Sequence, residues 1–293
     1  MKTFRLALAG ALALAVAPAM AQVATAEPAA IILPQPSADY SYDRVVHLEG
    51  GQNFRDLGGY PAQDGRHVRW GLLYRSGSMY RLTPADFAYL DTLDLKTVVD
   101  FRSREERQLE PVNWPAGAAP RVLSVDYGFK ELGMSPVGDP SEMGAMIVKM
   151  YPTILTQFNG QYRRMFAELL AGRAPLAFNC SAGRDRTGIA AALLLTALGV
   201  PRETIIQDYL LTNRYFDLDR TGPSAQTWRG KSDQTVEQMK ASMKEVMRST
   251  ARPSIDAVFA VVDAHPGGAE GYLRDELGLG QSELGRLRQL YTE

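Results

Sequence analysis

Leu176-Ala177-Phe178-Asn179-Cys180-Ser181-Ala182-Gly183-Arg184-Asp185-Arg186-Thr187-Gly188, running on into Ile189 to Leu198, is the stretch that decides how the rest of the chain is read. Leu176 to Asn179 carries no charge and fits a buried strand, whereas the Ala- and Leu-rich run from Thr187 to Leu198 fits a buried helix. Such a junction leaves the first helical N–H groups without intrahelical partners and turns the positive end of the helix dipole toward the loop, which favours an anion there. A helix N-terminus and a guanidinium beside a cysteine both favour the nucleophilic thiolate over the thiol. Five residues separate Cys180 from Arg186. That span lets the peptide N–H groups of Ser181, Ala182, Gly183 and Arg184 line a cradle for phosphate oxygens, which the planar fork of Arg186 closes.

Outward from this loop, short β-branched or apolar runs recur at Val45 to Leu48, Leu72 to Tyr74, Thr97 to Phe101 and Val122 to Val125, and are predicted strands. Helical spacing covers Pro84 to Leu93 behind a Thr83 cap, a long amphipathic stretch from Met143 to Phe158 with a kink expected at Pro152, Val236 to Met247, and Leu284 to Tyr291 behind a Ser282 cap. Strand and helix alternate, so the expected fold class is α/β: a central, mostly parallel or mixed sheet flanked by helices, with a helical insertion and a helical C-terminal part. The Met-rich stretch reads as a core-facing helix, the other reading being a mobile or lipid-facing surface.

With 293 residues, 45% of them hydrophobic and 22% charged, the chain has material for a sizeable core and is treated as one domain over residues 41–293. Lys2 and Arg5, the apolar run Leu6 to Val16 and Ala19-Met20-Ala21 read as a signal peptide over residues 1–21, cleaved before Gln22; residues 22–40, rich in Ala and Pro, read as a flexible leader. The expectation is a periplasmic or secreted protein with no membrane span. Cys180 is the single cysteine, so no intramolecular disulfide can form. The formal net charge of -1 provides no general attraction for nucleic acid. His47, His67 and His265 are too scattered for the paired histidines of a zinc-binding helix, and neither a metal nor a cofactor is expected. A nucleotide-binding loop is excluded because Ile189 stands where its lysine is required.

Cys-x5-Arg followed by Thr-Gly, between strand and helix, resembles the signature of the protein tyrosine phosphatase superfamily. It is most similar to the bacterial tyrosine-phosphatase-like group, whose loop carries Gly-Lys-Asp-Arg-Thr-Gly. Asn53-Phe54-Arg55-Asp56-Leu57-Gly58-Gly59-Tyr60, Tyr74-Arg75-Ser76-Gly77 and Asp100-Phe101-Arg102-Ser103-Arg104-Glu105-Glu106 extend the resemblance over the chain from about residue 45 onward. The resemblance implies a phosphatase-type fold and hydrolysis of a phosphomonoester, on a phosphorylated protein or a phosphoinositide, through a phosphocysteine at Cys180. It also implies Asp185 as proton donor to the leaving oxygen, the other reading being that Asp185 orients the loop or pairs with an arginine; Asp126, after the strand Val122 to Val125, is the fallback acid, and the Thr187 hydroxyl can donate to the departing sulfur. Two departures stand out: Asn179 replaces the histidine that usually precedes the cysteine, and Arg184 replaces a lysine. Asn179 keeps open a phosphate-binding relative without turnover; Arg184 retains a charge that could meet phosphate. Arg55 and Asp56 are read either as neighbours of the phosphate loop or as a structural ion pair, and Arg102 either as a substrate contact or as part of a solvated charged face.

Overall fold

The computed structural model describes residues 43–117, 119–128, 140–223 and 236–293. The expected signal peptide, its cleavage point and the leader lie outside the described residues.

β5 (Leu176–Asn179) forms as expected and is the hub of the sheet. Strand order is β1-β2-β5-β3-β4, with β1 (Arg55–Asp56), β2 (Leu73–Ser76), β3 (Thr97–Asp100) and β4 (Arg121–Ser124). β2, β5, β3 and β4 run parallel, whereas β1 is antiparallel to β2. The three inner strands are buried at every position, which explains why they read as unbroken runs rather than alternating ones. The register aligns Ser76, Asn179 and Asp100 across the C-terminal edge, where the Cys180 loop leaves. It also sets Arg55 opposite Arg75.

Val45 to Leu48 does not form the expected strand. Only Val45 makes a bridge, to Arg55, while Val46 and Leu48 turn into the core beneath Phe54 and Tyr74. The left-handed Asn53 (φ 56°) bends the chain here, and the strand that pairs with β2 comes after it. The burial signal was sound; the element lay further along.

α5 (Asp185–Ala197) follows the loop and is buried nearly all round, as its uniformly apolar sequence demands. α1 (Pro84–Thr92) and α2 (Arg104–Leu109) each start on a reciprocal capping box, Thr83 with Asp86 and Ser103 with Glu106. α3 (Pro140–Gln157) runs on through Pro152. Its Tyr151, Ile154 and Leu155 face the core, whereas Met146, Ile147 and Met150 are half-buried. α4 (Asn159–Leu170) follows directly, then α6 (Arg202–Leu210) and α7 (Thr212–Tyr215) after α5. α8 (Val236–Ala264) lies along α3, and α9 (Gly268–Leu277) and α10 (Gln281–Tyr291) complete the helical C-terminal part. α10 begins one residue before Ser282, which therefore sits in its first turn; the cap position belongs to Gly280. Among the described residues no helix is long and apolar enough to cross a membrane.

Candidate active site

Cys180 is the first residue beyond β5, and the chain then turns through Gly183 (φ +67°) into α5. A Cβ at Gly183 would lie 2.4 Å from the Ser76 carbonyl oxygen, so only glycine fits. The carbonyls of Ser181, Ala182 and Gly183 are claimed from outside. Ser78 N donates to Ser181 O (2.9 Å), Asn53 Nδ2 to Ala182 O (2.9 Å) and Gly183 O (3.2 Å), and Arg75 Nη2 to Gly183 O (2.8 Å). Because a peptide N–H points opposite to the carbonyl of its own plane, the amides of Ala182, Gly183 and Arg184 must face the other way, into the loop. Among the described residues the amides of Ser181 through Arg186 donate to no loop carbonyl or side chain. They form a concave ring of donors at a helix N-terminus, a geometry suited to an oxyanion.

Arg186 is aimed across this ring by a buried carboxylate. Nη1 donates to Glu106 Oε2 (2.6 Å) and Nη2 to Glu106 Oε1 (2.9 Å), a fork-to-fork pair; Nη1 also reaches Phe101 O (3.1 Å) and Tyr127 Oη (2.6 Å). Its Nε carries no bond among the described residues and remains for a ligand. Burial pushes the Glu106 carboxyl up, but the Arg186 guanidinium and the hydroxyl and amide donors around it outweigh burial and hold it below the usual carboxylate range. Ser181 Oγ donates to the same carboxylate, and Tyr162 Oη binds Arg186 O (3.1 Å). Cys180 itself is fully buried on the loop floor, while Ser181, Ala182 and Asp185 on the rim are partly exposed.

On the opposite side stands a clamp of three buried charges. The register brings Arg55 and Arg75 together, and Asp208 of α6 separates them: Arg55 Nε meets Oδ1 at 3.0 Å and Arg75 Nη1 meets Oδ2 at 2.5 Å. Burial alone would raise the Asp208 carboxyl; Arg55 first and Arg75 second drive it well below its ordinary value. Burial and Arg75 lower Arg55 to about 10, so it stays charged at neutral pH. Arg55 also donates to Asn53 O (3.3 Å) and Asn53 Oδ1, which orients the amide that holds the loop.

The structure thus brings Cys180, Ser181, Ala182, Gly183, Asp185, Arg186 and Thr187 to one loop. Thr187 is buried with its hydroxyl unpartnered, and Asp185 Oδ1 accepts from Tyr151 Oη. The other candidates lie elsewhere. The Arg184 guanidinium turns beneath the loop to Tyr209 Oη (3.3 Å) and Thr250 Oγ1 (3.0 Å), so this cation is used in packing rather than presented to phosphate. Arg102 is no solvated charge: it is buried, paired with Asp100 (2.7 Å) and bonded to Ser78 Oγ (3.0 Å) and Glu110 O (2.7 Å). Asp56 accepts from Gly58 N (2.6 Å) and Gly71 N (2.7 Å), and Arg55 belongs to the clamp, so both hold the fold. Asp126 points outward, its side chain 71% exposed and paired with Arg107. Asn179 Nδ2 donates to Asp100 Oδ1 (3.3 Å), leaving its Oδ1 buried and unpartnered.

Glu106, Tyr127, Tyr151, Asp208 and Tyr209 were not singled out from the sequence. For Glu106 a signal existed, since Ser103-x-x-Glu106 is a capping box. Asp208 has none, its partners Arg55 and Arg75 lying 153 and 133 residues away in the sequence.

Comparison with known proteins shows the family. A family model described as tyrosine phosphatase family matches residues 46–293. A candidate tyrosine-protein phosphatase of Cupriavidus necator is 34% identical over 259 residues, covering 84% of this chain and 86% of that protein. The triple specificity protein phosphatase PtpB of Mycobacterium tuberculosis is 27% identical over 275 residues, covering 83% and 98%. A tyrosine-protein phosphatase of Nostoc commune is 26% identical over 228 residues, covering 73% and 72%. With the match spanning every strand and helix from β1 to α10, the chain belongs to the tyrosine phosphatase family and is a cysteine-dependent phosphatase.

Proposed function

We propose that the chain dephosphorylates protein side chains, phosphotyrosine foremost, through a covalent phosphate on Cys180. The orientation of the loop supports this reading: its carbonyls are bonded outward, leaving inward amides and Arg186 Nε for the oxygens of a tetrahedral dianion. The Cys180 thiolate attacks phosphorus, forming the S–P bond as the P–O bond to the substrate breaks. The electron pair leaves with the substrate oxygen, which takes a proton from Asp185. Water then attacks phosphorus and gives its proton to Asp185, while the S–P electron pair returns to sulfur. The otherwise unpartnered Thr187 hydroxyl donates to that sulfur as phosphate departs. Arg186 and the amides stabilise the charge that builds up on the equatorial oxygens in both steps.

Turnover of p-nitrophenyl phosphate without added metal, compared between wild type and Cys180→Ser, tests the nucleophile. Activity is expected in the wild type only; equal turnover in both would remove Cys180 from the mechanism, and none in either would leave a phosphate-binding protein. Phosphotyrosine, phosphoserine and phosphothreonine peptides alongside phosphoinositide vesicles rank the substrate classes, and a preference for the vesicles would overturn the protein reading.

The proposed place of action is outside the cytoplasm. Lys2 and Arg5 ahead of Leu6 to Val16, with Ala19-Met20-Ala21 behind, support export and cleavage. N-terminal sequencing of the protein from the periplasm or medium should begin at Gln22; uncleaved chain confined to the cytoplasm would refute it.

A further inference from the structure

The mechanism leaves a buried chain of hydroxyls beneath Asp185 unused. Tyr151 of α3 and Tyr209 of α6 meet edge to face, centroids 6.3 Å apart, with their hydroxyls hydrogen-bonded to each other. Tyr151 Oη donates to Asp185 Oδ1, and Arg184 Nε donates to Tyr209 Oη at 3.3 Å. Each hydroxyl has one proton to give. Since Tyr151 gives its proton to Asp185, Tyr209 must be the donor within the tyrosine pair, which leaves the Tyr209 oxygen as acceptor for Arg184. Every dipole in the chain therefore points the same way, from a buried cation to the carboxylate, and such aligned bonds reinforce one another. Burial, the largest influence, raises both tyrosines, so they remain protonated donors at neutral pH.

The far end of the chain is anchored as well. Arg184 Nη2 donates to Thr250 Oγ1 on α8 at 3.0 Å. The ring of Tyr209 lies against the start of α5 because Gly188 has no side chain: a Cβ there would come within 2.7 Å of Tyr209 Cε2. Asp185, by contrast, is partly exposed, and among the described residues its Oδ2 has no partner. One carboxylate oxygen is thus fixed from below and the other is left for the substrate.

We propose that Tyr151, supported by Tyr209 and Arg184, is a positioning residue that fixes the rotation of the Asp185 carboxyl so that Oδ2 meets the leaving oxygen. The proposal rests on Asp185 being the acid. Without the Tyr151 hydroxyl only the longer contact of Arg184 Nε with Asp185 Oδ1 (3.9 Å) restrains the partly exposed carboxyl, and the loss falls on the step that needs its proton. Poor leaving groups need that proton; good ones depart nearly without it.

The test compares phenyl phosphate with p-nitrophenyl phosphate for Tyr151→Phe, Tyr209→Phe, Asp185→Asn and the Tyr151→Phe/Asp185→Asn double variant. Asp185→Asn should lower kcat/KM on phenyl phosphate, which covers the steps up to phosphate transfer onto Cys180 and not the hydrolysis common to both substrates, about a hundredfold, within the usual range for a general acid. Tyr151→Phe should lower kcat/KM about tenfold on phenyl phosphate and at most about twofold on p-nitrophenyl phosphate, and Tyr209→Phe should act in the same direction more weakly. In the double variant Tyr151→Phe should add nothing, since there is no acid left to orient. The ratio between substrates does not depend on the folded fraction, so partial misfolding cannot imitate the result. If Asp185→Asn slows both substrates equally, the acid assignment fails and takes the proposal with it. If Asp185→Asn discriminates between them and Tyr151→Phe does not, or if the two effects multiply, the acid stands and the positioning role is overturned.

Discussion

Two guanidinium–carboxylate clusters grip the Cys180 loop from opposite sides of β5, and they differ in what they leave available. In the clamp, Arg55 and Arg75 share Asp208, further donors go to Gly183 O, Asp208 O (2.9 Å), Thr212 Oγ1 (3.4 Å) and Asn53, and Arg75 Nε is buried without a partner among the described residues. All three charged side chains are fully buried, so the clamp can act on the backbone and on nothing that arrives from solvent. On the other side one guanidinium faces one carboxylate, Arg186 against Glu106, at the edge of the amide ring with Nε uncommitted. A surplus buried cation satisfied by carbonyls fixes shape; a matched pair at a rim aims a donor. The two should therefore separate stability from activity.

The largest expected effect is on the clamp. Asp208→Asn leaves two guanidinium groups facing each other where no water reaches, and breaking a buried pair in this way costs about 3–5 kcal/mol. Urea denaturation should show that loss, while turnover per folded molecule stays within about threefold of wild type, because no clamp atom faces the ligand. A loss below about 1 kcal/mol would mean that the carbonyls alone can hold both arginines.

Glu106→Gln comes next and should show the reverse pattern. Glutamine keeps the shape but accepts through one oxygen only, so the fork of Arg186 is no longer held square to the ring. With the guanidinium misdirected, kcat should fall about a hundredfold, the scale of losing one oxyanion donor. Stability should fall by only about 1–2 kcal/mol, since Tyr127 Oη and Phe101 O still accept from Arg186. Full activity in a badly destabilised variant would reverse the assignment of the two clusters.

The same contrast explains what the sequence made legible. The loop and β5 could be read because strand, cysteine, arginine and helix are contiguous, and local order is what a pattern of spacing records. Arg186 was found for that reason, but Glu106, which aims it, was submerged in the charged run Arg102 to Arg107. Its burial follows from β3 feeding α2 directly back over the loop, a tertiary fact. Arg102 was misread for the same reason: charge on a short segment suggests solvent, and only the packing of Ser78 and Glu110 around it shows otherwise. Asp208 is one acid on an ordinary helix, and nothing nearby announces that the sheet register has set two arginines side by side to receive it. Tyr151 falls on the apolar face of the amphipathic stretch Met143 to Phe158, a pattern that describes its ring correctly and conceals its hydroxyl. The misplaced strand at Val45 to Leu48 has the same origin, since apolar residues declare burial without declaring which backbone pairs.

The smallest expected effect is at mildly acid pH, and its sign follows from the two carboxylates. Asp208 and Glu106 both titrate lower in the folded chain than in the unfolded one, Asp208 because Arg55 and Arg75 outweigh its burial, Glu106 because Arg186 does. Groups depressed in this way contribute stability that is fully present above their unfolded values, near pH 4, and is lost as pH falls toward the folded ones. Urea midpoints should thus be almost flat from pH 7 to about 5 and fall below about 4. Other paired carboxylates fall in the same window, so the assignment rests on the difference between proteins: Asp208→Asn should lose less on going from pH 5 to pH 3 than wild type, because the group that must be protonated is gone. If variant and wild type lost stability in parallel, Asp208 would not be carrying the depressed titration, and the clamp would owe its strength to the carbonyls around the arginines instead.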